Sequence, residues 1–147
     1  AMRFEAVFGA DLREGTDLAP LLAELTRRVG KGERPGLFQL SRYDREPATT
    51  SRAVRALLAG GGARMLVYGE KAICDQLFLL DPCCLLHPQR FVPTIEAGEI
   101  IVCPLPGQAG LTRATVLECE RNVEVMFSQP ARFLTGQVVA GDGETVT

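Results

Sequence analysis

The chain has 147 residues, 46% of them hydrophobic and 23% charged, with a formal net charge of −2, a composition that suits one folded domain and excludes a disordered segment. Acidic and basic residues are mixed, so there is neither the basic footprint of a nucleic-acid binder nor a polybasic membrane tail, and no apolar run approaches the roughly 18 residues that span a bilayer. The first residues lack the apolar block of a secretory leader, which points to a cytoplasmic protein whose five cysteines stay reduced.

Arg3 to Phe8 alternate as a first strand, with Gly9 as its stop. Leu18, Leu21, Leu22, Leu25 and Val29 then fall on one helix face. Thr16 or Asp17 is placed to cap that helix, Pro20 fits its first turn, and Gly30 ends it. Arg27, Arg28, Lys31 and Arg34 gather at its far end, where cations complement the helix dipole. Leu37 to Arg42, with Tyr43, reads as a second strand, and Ala53, Val54, Leu57 and Leu58 as the stripe of a short second helix capped by Thr50 or Ser51.

From Arg64 the pattern changes to strands: Met65 to Tyr68, then Ile73 to Leu80, then Glu99 to Cys103. Both faces of Leu77 to Leu80 are apolar, which places that strand in the middle of the sheet. Asp81 and Pro82 end it, and the proline-rich Cys83 to Pro93 reads as an irregular connection. Gln108 to Leu111 reads as a glycine-bounded loop. Arg113 to Glu120 and Val123 to Phe127 read as a hairpin turning at Arg121 and Asn122, with Cys119, Val123, Val125 and Phe127 inward and Glu118, Glu120 and Glu124 outward. A last strand over Phe133 to Val139 precedes a polar tail, 141–147.

These elements predict a single α+β domain over 1–147, with a change of character near residue 63. Two helices from the N-terminal half pack on a largely antiparallel sheet that dominates the C-terminal half. The first strand, helix and second strand could form one parallel crossover unit within it.

Four chemistries are open to these residues. Cys83, Cys84 and His87, with Cys74 or Cys103, are the residue types of a tetrahedral zinc site, although adjacent cysteines depart from the usual C-x-x-C knuckle. A Cys-His hydrolase would need a thiolate beside His87 oriented by Asp75 or Asp81, but no cysteine stands at a glycine-flanked helix start. Glu96 and Glu99 form an acid pair at a strand entry. Ser51, Arg52 and Arg55 open the second helix, where a small anionic ligand could take free backbone N–H groups.

Each of these sets is incomplete, and the segment from Cys83 to Pro106 offers apolar side chains in irregular backbone. The sequence is therefore read as a non-catalytic interaction domain with no cofactor, binding a protein partner, a further copy of itself, or both. Leu85, Leu86, Phe91 and Val92 are the expected anchors, with Arg90 on the polar rim. A Cys/His site with zinc or a reactive cysteine is the alternative.

Overall fold

A computed structural model describes residues 1–105, 111–134, 138–139 and 145–146. Nine strands and three helices are present among these residues. Strand β1 (Met2–Ala10) leads into α1 (Ala19–Gly30), β2 (Gly36–Gln39), α2 (Arg52–Ala59), β3 (Arg64–Met65) and β4 (Lys71–Leu80). A short 3-10 turn (Pro82–Leu85) precedes β5 (Thr94–Cys103), β6 (Leu111–Thr112), α3 (Arg113–Phe127), β7 (Ala131–Phe133), β8 (Val138–Val139) and β9 (Thr145–Val146). No helix is long and apolar enough to cross a membrane among the described residues.

The main sheet has six strands in the order β3-β2-β1-β4-β5-β7, and every neighbouring pair is parallel. This overturns the expected α+β arrangement of N-terminal helices on an antiparallel sheet: helices alternate with strands along the chain, and the class is mixed α/β. The chain winds outward from β1 to β3, then returns to the other side of β1 and winds out through β4, β5 and β7. Crossovers of one hand put the helices of the two excursions on opposite faces. Accordingly α1 and α2 bury Leu21, Leu25 and Val54 against Ala6, Phe8, Ala10 and Leu37, while α3 buries Cys119, Val123 and Phe127 against Val7, Phe38, Leu77, Leu79, Ile100 and Val102. Strands from both sides of residue 63 share this one sheet. A smaller sheet joins β6, β8 and β9.

Parallel strands covered on both faces read as nearly continuous apolar runs. In β1 that run is Ala6 to Ala10, all buried. Gly9 lies inside the strand and does not end it. A Cβ at Gly9 would stand 2.4 Å from Cζ of Phe38, so the missing side chain is the space the Phe38 ring fills. β4 is central, between β1 and β5, as its doubly apolar run indicates.

The expected hairpin over Arg113 to Phe127 is the helix α3. Its buried residues Cys119, Val123 and Phe127 recur every four positions, one stripe of a helix. The Thr112 hydroxyl accepts the Thr115 N–H at 3.2 Å and caps the first turn. Cys119, Val123 and Phe127 do face inward, but Val125, expected with them, is 67% exposed. The expected last strand divides into β7 and β8, and 135–137 between them lie outside the described residues, as do 108–110 of the glycine-bounded loop and 141–144 of the tail.

Candidate functional site

In an open parallel sheet, ligands bind outside the carboxyl ends of the strands where the winding direction reverses. Here that point lies between β1 and β4, and each strand is followed there by an aspartate, Asp11 after Ala10 and Asp81 after Leu80. The glycine-rich turn that cradles a dinucleotide phosphate is not part of the β1–α1 connection, which reads Asp11-Leu-Arg-Glu-Gly-Thr-Asp17.

The Asp11 side chain is wholly buried. Nε and Nη2 of Arg13 each donate to it at 2.7 Å, Nε2 of Gln39 at 2.9 Å, and Nη1 of Arg45 at 3.4 Å. The backbone N–H groups of Arg13 and Arg42 add two more bonds at 3.3 Å. Burial alone would raise its pKa, but these donors outweigh that and hold the carboxyl at about 2. Gln39 also accepts the Leu12 N–H at 2.9 Å, and Arg45 donates to Oγ1 of Thr16 and to the Glu14 carbonyl. The connections after β1 and β2 are thus tied to one carboxylate.

Asp81 is buried and holds φ at +74°, in the left-handed region that a non-glycine residue enters at a cost of about 1–3 kcal/mol. Its Oδ1 accepts the Cys83 N–H and its carbonyl the Cys84 N–H, both at 2.9 Å, which starts the 3-10 turn. Arg42 reaches Oδ2 of Asp81 at 3.5 Å and grips Asp44 through Nε and Nη2 at 3.0 and 2.7 Å. A second clamp is the amide of Gln89, which exchanges hydrogen bonds with both the N–H and the carbonyl of Ser41 at 3.1 Å and donates to the Cys84 carbonyl at 2.8 Å. That amide fixes the Leu86 to Pro93 connection to the end of β2.

Both fixed connections carry exposed aromatic side chains: Tyr43 is 65% and Phe91 77% exposed, and Tyr68, edge-on to Phe91 at 5.4 Å, is 64% exposed. The His87 ring lies 4.4 Å from that of Tyr43. A cleft of about 480 Å³ runs between Tyr43 and Phe91, with Gln39, Ser41, Arg42 and Arg90 in its lining. A second, of about 580 Å³, lies beyond the Pro88 to Arg90 strap among Tyr68, Val92, Ile95, Val125 and Met126.

Of the expected partner-binding residues, Leu86, Arg90 and Phe91 are exposed on this edge, and Val92 is half-buried against the α3 side of the core. Leu85 is not a surface anchor. It is fully buried in that core, and its carbonyl accepts from buried Asn122 at 2.8 Å.

Cys83, Cys84 and His87 are not drawn into one site: Cys84 is buried, Cys83 half-buried, and His87 exposed on Tyr43. Among the described residues no three His, Cys, Asp or Glu side chains gather as a metal-holding group. Burial pushes the thiols of Cys83 and Cys84 upward, those of Cys74 and Cys103 to about 11 and that of Cys119 to about 12, the direction that disfavours a thiolate.

At the start of α2, where Ser51, Arg52 and Arg55 were candidates for an anion, the chain supplies its own. The Arg52 N–H donates to Oε1 of Glu14 at 2.7 Å and the Ser51 N–H to the Leu12 carbonyl at 2.7 Å, while the Arg52 and Arg55 side chains are exposed. Glu99 accepts from Gln76 and Arg132, and Glu96 is exposed.

Asp11, Arg42, Tyr43 and Gln89 are site residues that sequence reasoning passed over, and Asp81 was considered only as an orienter of His87. Their signal was an aspartate directly after an apolar strand, at Ala10-Asp11 and Leu80-Asp81, which has meaning only once the sheet is known to be parallel. No family model matches the chain, and no curated protein or solved structure matches it.

Proposed function

We propose that this chain is a protein-binding domain whose docking surface is the carboxyl edge of the sheet, centred on Phe91 and Tyr43. One observation carries this reading: two connections fixed from below, by the Asp11 network and by the Gln89 amide, hold exposed aromatic side chains on either side of a cleft. Loops already held in place lose little conformational entropy on binding, so more of the contact energy appears as affinity. Tyr, Phe, Met and Arg are the residues enriched at the centres of protein interfaces: Tyr43, Phe91 and Arg90 line the cleft at this edge, and Tyr68 and Met126 line the second cleft, which continues from Arg90 toward the start of β5. The carboxylates beneath are occupied by the chain's own arginines, which suits a scaffold better than an acid or base.

A photoreactive benzophenone side chain placed at position 91 tests this in the cells that make the protein, with position 5 on the opposite edge of the sheet as control. The expected result is a crosslinked species at position 91 that the control lacks and that Tyr43→Asp removes. A crosslink to a second copy identifies self-association, and one to another protein a heterotypic partner. Equal crosslinking at positions 91 and 5 overturns the proposal.

A further inference from the structure

The guanidinium groups of the carboxyl edge are not equivalent. Arg13 is bidentate on Asp11, Arg42 is divided between Asp44 and Asp81, and Arg45 is held by Asp11, Thr16 and the Glu14 carbonyl. Arg90 forms no ion pair among the described residues, is exposed, and lines both clefts, the first together with Phe91 and the second together with Val92. A planar fork of N–H donors is best matched by a carboxylate or a phosphate. The apolar surroundings distinguish the two. A polyanion is held by several cations at once, whereas here one uncommitted guanidinium stands among Tyr43, Tyr68, Phe91 and Val92. That surface complements a single negative charge flanked by apolar groups.

We infer that the partner segment seated on this edge is an acidic apolar peptide, with one Asp or Glu carboxylate on Arg90 and a neighbouring aliphatic or aromatic side chain against Phe91 in the cleft facing Tyr43. This rests on the docking surface proposed above and adds the chemistry of its occupant. The Gln89 amide beside Arg90 is already committed to Ser41 and Cys84, so the strap supplies the charge and the aromatics supply the apolar contact.

The test is selection of random displayed peptides on the full chain, with counter-selection on the Phe91→Asp variant, followed by titration of the synthetic winners. The expected outcome is an Asp or Glu at a fixed step from an apolar residue. Arg90→Glu then weakens binding by about 10-fold, the scale on which losing a charge pair at an interface is read, and added salt weakens the wild-type complex. Exchanging the peptide's acid for Lys recovers affinity for Arg90→Glu. Arg90 is exposed, so that variant keeps its fold, and its circular dichroism should match the wild type. Winners that are neutral or basic, or that bind Arg90→Glu as well as wild type, overturn the acidic occupant while leaving the docking surface standing. Failure to enrich any peptide over Phe91→Asp overturns both. An aromatic monocarboxylate that competes at the peptide's own affinity overturns the peptide in favour of a small molecule.

Discussion

Asp11 sits where a catalytic carboxylate or a metal ligand would stand in many parallel-sheet proteins, yet its oxygens are filled by donors from Arg13, Gln39, Arg42 and Arg45. The consequence is a pH-dependent stability with a definite sign. The folded-state pKa is depressed from 3.8 to about 2, so the charged form is favoured by folding. The stabilisation is complete above the unfolded value and is lost as pH falls toward the folded one. A shift of that size corresponds to about 2 kcal/mol, lost between about pH 5 and pH 2. Asp11→Asn should cost about 3 kcal/mol at neutral pH, because it leaves the half-buried guanidinium groups of Arg13 and Arg45 without their anion. The gap between variant and wild type should narrow as pH falls toward 2. Urea unfolding at several pH values measures both, and a gap that does not change with pH would show that Asp11 contributes through packing and not charge. None of this is legible in a lone Asp between Ala10 and Leu12, since its donors come from up to 34 residues away.

At the scale of elements, the leucine stripe of α1 was legible from its helical spacing, but its cap was not: the N-cap position is Leu18, without a side-chain cap, and Asp17 just before it accepts the Ala19 N–H at 3.2 Å. For α3 the stripe of Cys119, Val123 and Phe127 was present in the sequence, but Thr115, Val116, Val123 and Val125 are β-branched and short stretches alternate. A helix whose packing comes from a sheet tolerates such residues, because tertiary burial outweighs their small propensity cost. The connection after the 3-10 turn shows the opposite case, an irregular segment made rigid by one side chain. Gln89 presents an amide to Ser41 much as a neighbouring strand would. Gln89→Ala should therefore free the Leu86 to Pro93 connection without unfolding the sheet. Exchange of the Ser41 amide hydrogen should speed up by about 10-fold, equivalent to about 1.4 kcal/mol of local stability, with smaller changes in β4. An unchanged Ser41 rate would mean that the strap is held by its apolar contacts alone.

At the scale of the whole molecule, the pairing sense of the sheet was misjudged from sequence for a physical reason. Parallel and antiparallel pairing are chosen by crossovers, and the crossover from β3 to β4 spans only 66–70, with no helix of its own, where a parallel connection ordinarily needs a dozen or more residues. A short link between two strand-like runs reads as a hairpin, and once that is assumed the sheet reads as largely antiparallel. The doubly apolar β4 was the clue that survived, since it requires cover on both faces. That cover divides the interior into two cores separated by the sheet, with Leu25 in the α1–α2 core and Leu77 in the α3 core, both fully buried. Leu25→Ala and Leu77→Ala should each cost about 2–5 kcal/mol. Because they belong to separate cores, the double variant should lose the sum to within about 0.5 kcal/mol. Urea unfolding followed by circular dichroism measures all three, with a shared slope if unfolding stays two-state. A coupling above about 1 kcal/mol would mean that the sheet passes a packing change from one face to the other, and the exposed carboxyl edge, built on strands common to both cores, would then respond to mutations in either.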